Sequence, residues 1–401
     1  MRVEFAPSGV GLGHAGRCIP IARGLQKRDR NVKILFSTYL DAVSYVRREG
    51  FLTVEVPSMD FKVKPDGSVD FRRTAMNPGP FVAPFNFLGQ VGKEIEVMET
   101  FDPDVVVSDS RASPLVAAYM LGIPSICILN QFQVIIPRST HYLRLAKLAD
   151  AISLTILGRI WTSGTKVLVP DFPPPHTICA DNLCIPRAYR KKTQFIGPIL
   201  PVRPDELPSR KELLEKLDLD DSKPLIFAPI SGPMKERSYL VSILQKIFNE
   251  FPVDYQIFMS LGYPKSHATP VQLGSFRIFR WVPNRFQYLK ACDMVVSRAG
   301  HGTVMQTICY GKPAVLIPTP NHTEQQNNAR RALELGVALT IEQENVSKST
   351  LLSAAAKARE GGCFAERAEN LQRKVSNLDG LETAIAATVE VAERGKARVF
   401  A

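Results

Sequence analysis

Short apolar runs alternate along this chain with longer stretches in which apolar residues recur at helical spacing. That alternation is the pattern of βαβ units and a mainly parallel sheet. Arg2–Ala6 reads as a first strand, Ile19–Leu25 as the inner face of a helix and Asn31–Phe36 as a second strand. Thr53–Val56, a helix over Phe87–Thr100, a strand over Val105–Val107, a helix over Pro114–Leu121 and a strand over Ser125–Leu129 continue it. A loop rich in Pro, Phe and Asn spans Asp66–Phe87, and His141–Ile160 reads as a helix that is apolar on most faces. The rhythm pauses at the Pro-rich segment Phe195–Ser209, the natural domain boundary, before a charged helix at Arg210–Leu217. It then restarts with a strand at Leu225–Ala228, a helix at Tyr239–Asn249, strands at Tyr255–Ser260 and Arg277–Phe279, and a helix at Arg285–Ala291. The tail from Leu351 is helical. The expected architecture is α/β: two Rossmann-like, doubly wound domains, 1–200 and 201–401, facing across a cleft, with the last helix free to pack back on the first.

The densest signal lies in Met294–Asn328. An apolar strand (Met294–Val296) breaks into Arg298-Ala299-Gly300-His301-Gly302, a helix follows through Val304, Met305 and Ile308, and Gly311-Lys312-Pro313 stops it. A second strand, Ala314–Ile317, runs into a polar loop. Polar groups therefore gather where strands end, and open α/β sheets bind ligands just past the carboxyl ends of their strands.

The first strand runs into Pro7-Ser8-Gly9-Val10-Gly11-Leu12-Gly13-His14-Ala15-Gly16. Gly11, Gly13 and Gly16 spell GxGxxG in strand–helix context. A dinucleotide site also needs an acid at the tip of the second strand, where this chain has Ser37 and Thr38, so NAD is not expected. What remains is backbone that a ligand can approach at a helix N-terminus. His14 sits in that loop, and Asp109 ends a strand on the same sheet edge, where a carboxylate can orient an imidazole. The competing assignment for Asp109 is an N-cap for the helix near Pro114.

Composition narrows the class. The 401 residues are enough for two domains of roughly 200 each, and 45% hydrophobic with 22% charged residues is globular. The 7 cysteines are scattered without metal spacing, as expected of reduced thiols. No signal peptide is expected, and no apolar run approaches the ~20 residues that span a bilayer. Net charge is +11, and between Arg111 and Pro170 six Lys/Arg face a single acid, Asp150. A basic solvated surface explains this, as does attraction to phosphate or to an anionic membrane face. The basic residues form no runs, so nucleic acid is not expected.

At Trp281-Val282-Pro283 and Ser297–Asn328 the chain resembles GT-B glycosyltransferases: the UDP-glycosyltransferase superfamily and the lipid II-forming, undecaprenyl-linked N-acetylglucosaminyltransferase family. The resemblance implies that Trp281 stacks on the nucleotide base and that Val282 offers backbone hydrogen bonds to it. It implies that Ser297, Gly300, His301, Gly302 and Thr303 hold the diphosphate, joined by Ser231 and Gly232 and, from the first domain, Gly13. The family's ribose-binding acid aligns with Gln306, an amide. Glu324 and Gln325 match the acid–Gln pair that contacts the sugar, with Asn321 and His322 beside them. In plant-type members a histidine like His14 is the base, paired with an aspartate for which Asp109 is the positional match.

The implied reaction is inverting and metal-independent: a hexose or N-acetylhexosamine passes from a UDP-sugar to an acceptor alcohol, with a lipid or lipid-linked one favoured by the basic, apolar first domain. No cofactor is expected. Asp102-x-Asp104 and Asp218-x-Asp220 spell a metal-binding pattern, but neither stands at a strand tip. A nucleotide-sugar 2-epimerase and a non-catalytic sugar-nucleotide-binding subunit share the layout. The expected setting is the cytoplasm, with peripheral contact to the membrane's inner face, as monomer or homodimer.

Overall fold

A computed structural model describes residues 1–58, 64–66, 68, 83–132, 156–263, 269–282, 284–359 and 363–399. Pro283, most of the Asp66–Phe87 loop and the expected helix up to residue 155 lie outside the described residues. Two compact units emerge. The first comprises the bulk of the chain up to Leu200 together with the C-terminal helix Gly380–Val399; the second holds Pro201–Asn377 and the short stretch around Asp66, whose carbonyl accepts from Gln343 Nε2 at 3.1 Å. The second unit thus ends at Asn377 rather than at the last residue.

The first unit is built on seven strands: β1 Arg2–Pro7, β2 Lys33–Thr38, β3 Leu52–Glu55, β4 Val105–Asp109, β5 Ser125–Ile128, β6 Lys166–Val169 and β7 Thr193–Phe195. They lie in the order β3-β2-β1-β4-β5-β6-β7, all parallel. Val3, Phe5, Phe36, Val107 and Ile126 are buried under the helix Gly13–Arg28 and under Ala384, Ile385 and Val391 of the C-terminal helix. That last packing is close: a Cβ on Gly24 would stand 2.2 Å from Ile385 Cδ1. Ser37 and Thr38, read from sequence as lying past the second strand, are its last two residues, and Thr38 Oγ1 donates to Pro7 O at 3.0 Å.

The second unit repeats the plan with β8 Leu225–Pro229, β9 Gln256–Ser260, β10 Val271–Leu273, β11 Phe276–Phe279, β12 Met294–Ser297, β13 Ala314–Leu316 and β14 Ala338–Thr340. Their order is β10-β11-β9-β8-β12-β13-β14, with only the edge strand β10 antiparallel. Ile226, Ile257, Val296, Val315 and Leu351 are among its core.

The chain winds one way from β1 to β2 and the other way from β1 to β4. It does the same at β8, between β9 and β12. At such switch points the loops leave the sheet in opposite directions and open a place for a ligand past the strand ends. The residues following β1, β4, β8 and β12 therefore hold the structurally privileged positions.

Candidate functional site

At the first switch point β1 and β4 run in register, Pro7 opposite Asp109, and Ser8 N donates to Asp109 O at 2.9 Å. Gly9 is required by contact, since a Cβ there would lie 2.0 Å from Tyr39 O; Gly11 is required by its φ of 72°. The helix begins at Gly13, earlier than the apolar spacing suggests, so Gly13, His14 and Gly16 belong to its first turns rather than to the loop. Its N-cap residue, Leu12, makes no side-chain cap bond, and a Cβ on Gly13 would meet nothing within 4 Å.

His14 and Asp109 come together: Nδ1 lies 2.7 Å from Oδ1. The carboxylate is fully buried, while the His14 side chain keeps 25% of its exposure. Arg17, one helical turn beyond His14, donates through Nε to Oδ2 at 2.9 Å and through Nη2 to Oδ1 at 2.6 Å. Burial alone would push the Asp109 carboxyl up; the Arg17 guanidinium and then His14 outweigh it and bring it to about 2. The carboxyl is thus ionised throughout the neutral range. The N-cap alternative is not realised, because Ala112 caps the helix Ser113–Met120 without a side-chain bond.

At the second switch point Ser231 and Gly232 follow β8, and Gly232 has a φ of 119°. Arg237 Nη1 donates to Gly232 O at 3.1 Å and its guanidinium stacks 4.7 Å from the Tyr263 ring, fixing that turn. Ser297 ends β12 fully buried, and its hydroxyl donates to Pro229 O at 3.1 Å, so it ties two strand tips together. Gly300 is the N-cap of the helix His301–Cys309, which has no side-chain cap bond and no acid in its first turn. His301 is buried at its first position. Cβ atoms on Gly300 and Gly302 would meet nothing within 4 Å. The positive helix end and the open backbone at Gly300 and Gly302 make this turn suited to an anion.

Behind that turn, Phe227, Pro229, Arg285, Leu289, Thr303, Gln306 and Thr307 line a small, open recess. Gln306 and Thr303 therefore meet in one place. Val282 is buried and Trp281 half-buried on the loop after β11; neither lines this recess. After β13, Asn321 is exposed with a φ of 62°, and His322 caps the helix Thr323–Glu334 through Nδ1, 3.5 Å from Gln325 N. Accepting there leaves the proton on Nε2, as a donor. Glu324 is half-buried in the first turn. Gln325 turns inward: it is buried, and Oε1 accepts from Thr319 N at 2.9 Å, so its carbonyl shapes the loop and only its NH2 is left to face outward. Asn328 Nδ2 donates to Ala299 O at 3.1 Å, tying this helix to the glycine turn.

Arg298, Glu236 and Arg17 are among the buried charges that sequence reasoning passed over. Arg298 donates to Ile317 O at 3.1 Å, to Gln343 Oε1 at 2.6 Å and to Glu236 O at 3.2 Å, and burial lowers it to about 10 against the pull of Glu236. Glu236 is raised by burial, which outweighs the lowering by His322 and Arg298; Thr319 Oγ1 donates to its Oε2 at 3.4 Å. Arg17 had an available signal, because i,i+3 spacing puts it on the helix face of His14. The other two had none, since charged residues are ordinarily read as surface. The paired-acid sequences serve local structure: Asp104 Oδ2 accepts from Arg2 N at 2.7 Å and Asp220 Oδ1 from Ser222 N at 2.9 Å.

Residues 236–381 match the glycosyltransferase family 28 C-terminal domain. Over 96% of both chains the protein is 26% identical to an uncharacterized glycosyltransferase of Methanosarcina acetivorans. It is 28% identical to the UDP-N-acetylglucosamine--N-acetylmuramyl-(pentapeptide) pyrophosphoryl-undecaprenol N-acetylglucosamine transferase of Desulforamulus reducens, covering 88% of this chain and 89% of that one. Among solved structures, the kitacinnamycin glycotransferase superposes with a TM-score of 0.64 at 17% identity, over 97% and 98% of the two chains. The chain is a glycosyltransferase of GT-B fold, and residues 236–381 of its second half are similar to the family 28 C-terminal domain.

Proposed function

We propose that the protein is an inverting, metal-independent glycosyltransferase that moves a hexose or N-acetylhexosamine from a UDP-sugar to the hydroxyl of a lipid or lipid-linked acceptor. The observation that carries the reading is the His14–Asp109 contact of 2.7 Å at the first switch point, with the carboxylate buried and the imidazole partly exposed. An acceptor alcohol is a weak nucleophile at neutral pH, and a positioned base contributes roughly 10²–10⁴-fold. In this reading His14 Nε2 takes the hydroxyl proton as the oxygen attacks the anomeric carbon from the face opposite the leaving group, which inverts it. The departing diphosphate gathers charge, and the turn at Gly300–Thr303 meets that charge with N–H groups and the helix dipole. That arrangement supplies the electrostatic help for which other transferases use a metal. Gln306 and Thr303 would face the nucleoside from their shared recess; Glu324 and His322 would face the sugar.

The lipid character of the acceptor is supported by Phe85, Leu88, Tyr119 and Met120, which are 61–72% exposed on helices of the first unit. It is supported too by the undecaprenol-linked substrate in the Desulforamulus relative's name. Among the described residues no helix is long and apolar enough to cross a membrane, so we place any membrane contact at the surface of a cytoplasmic protein.

A panel of nucleotides tests the donor class. UDP and UDP-N-acetylhexosamines should stabilise the fold, by about 2.7 kcal/mol at 100 times Kd, and so raise the unfolding temperature, and NAD should not. A flat response to every UDP-sugar would overturn the donor assignment. A 2-epimer formed from the donor without any acceptor would show an isomerase instead.

A further inference from the structure

The unassigned member of the His14 cluster is Arg17. Arg17 is 8% exposed, and its guanidinium grips both oxygens of a carboxylate that is fully buried. Nη2 has acceptors for its two hydrogens in Asp109 Oδ1 and, at 3.3 Å, Asn130 Oδ1; its 2.9 Å approach to His14 Nδ1 is a hydrogen bond only if that nitrogen carries no proton. Ser110 Oγ donates to Oδ1 at 3.1 Å. Among the described residues, Asp109 also acts on the buried thiols of Cys18 and Cys127, which are pushed up by burial first and by Asp109 second, and so are neutral.

At 2.7 Å, Nδ1 and Oδ1 must share a proton, because two lone pairs at that distance repel. The proton belongs either to the imidazole or to the carboxyl, and heavy-atom positions alone do not tell the two apart. The ionisation of Asp109 decides between them. Burial favours the neutral acid; a bidentate guanidinium makes the anion the stable form. With an anion at Oδ1, the proton sits on Nδ1 and the lone pair falls on Nε2. We propose that Arg17 is a positioning residue: by holding Asp109 as an anion it keeps His14 in the tautomer whose Nε2 can accept a proton. The inference rests on the reading of His14 as the base.

Removing the guanidinium leaves a buried carboxylate that, among the described residues, has lost the strongest charge holding it ionised, an arrangement that draws in a proton. That proton either stays on the carboxyl, which then donates to Nδ1 and moves the ring hydrogen to Nε2, or it passes to the ring and makes an imidazolium. Both outcomes put a hydrogen on Nε2 and remove the acceptor lone pair. A lysine at this position keeps a cation and at least one donor, so the anion survives.

Nitrogen-15 NMR of the full-length, histidine-labelled protein reads this directly, with His14→Ala assigning the signal and the buffer held above the ordinary imidazole range. The wild type should show Nδ1 protonated and Nε2 bare. Arg17→Met and Arg17→Gln should show Nε2 protonated, and Arg17→Lys should restore the wild-type pattern. In a transfer assay Arg17→Met should lose kcat by roughly 10²-fold or more, with the donor KM unchanged and partial recovery in Arg17→Lys. A wild-type spectrum with the proton on Nε2 overturns the inference even if no variant folds. So does an Arg17→Met or Arg17→Gln spectrum identical to wild type. His14→Ala that still transfers sugar overturns the base reading itself, whatever the spectra show.

Discussion

Gly302 separates packing from chemistry at the scale of one residue. It lies in the first turn of the helix His301–Cys309, where a methyl group would touch nothing in the protein. Gly302→Ala should therefore stabilise the fold, by up to about 1 kcal/mol from helix propensity. The same methyl would stand over the N–H groups assigned to the diphosphate, so UDP affinity should fall about tenfold or more. Thermal unfolding with and without UDP measures both; a stabilised variant with unchanged affinity would move the diphosphate elsewhere. Glu4 poses a different single-residue question. It is fully buried in β1, and burial first, then the neighbouring Glu94 carboxylate, push its carboxyl well above the ordinary range. A folded value above the unfolded one gives stability that is complete below the unfolded value and lost as pH rises through the folded one. Glu4→Gln should lack this loss and be more stable than wild type at neutral pH by roughly 1–3 kcal/mol, with the gap closing in acid. Urea denaturation at several pH values shows whether the gap closes.

At the scale of elements, function sits where strands end and buried charges hold those ends in place. Arg298 links the tip of β12 to β13, to Glu236 and to Gln343. Arg298→Met should cost about 3 kcal/mol or more, because Ile317 O, Glu236 O and Gln343 Oε1 would lose their buried donor and the Glu236 carboxyl one of the charges that offset its burial. The double variant Arg298→Met, Glu236→Gln should recover part of that loss; a double no better than the single would show that Glu236 is not the reason. The strand–helix rhythm was legible because both sheets are parallel and buried, which writes their strands as apolar runs. Boundaries moved where that signal is silent. The helix at Gly13 begins with glycines, and the helix Met234–Asn249 begins with polar residues, so neither start carries an apolar stripe. The edge strand Val271–Leu273 is exposed along its length and was missed for that reason. The inward turn of Gln325 depends on a loop whose hydrogen bond to Thr319 no spacing rule encodes. Gln306 was singled out as an amide where an acid was expected; the recess it shares with Thr303 and Arg285 shows that a cationic side chain lines the same space.

For the whole molecule, the chain crosses to its second unit at Pro201 and returns to its first for the C-terminal helix. That return is a long-range packing event, carried by Ala384, Ile385 and Val391 against the helix of His14. Ile385→Ala should cost about 2–5 kcal/mol, and calorimetry should show it in the unfolding of the first unit alone. A loss shared equally by both units would mean that they unfold together. In the proposed reaction a UDP-sugar is held by residues of the second unit, and His14 of the first supplies the base for its transfer. Its most direct test is mass-spectrometric detection of sugar transferred from a UDP-N-acetylhexosamine to a short-chain lipid-linked acceptor alcohol, by wild type and by His14→Ala at matched donor occupancy. The account predicts a product one N-acetylhexosamine heavier from wild type and a rate roughly 10²–10⁴-fold lower from His14→Ala with donor binding intact. Equal rates from the two proteins would contradict it.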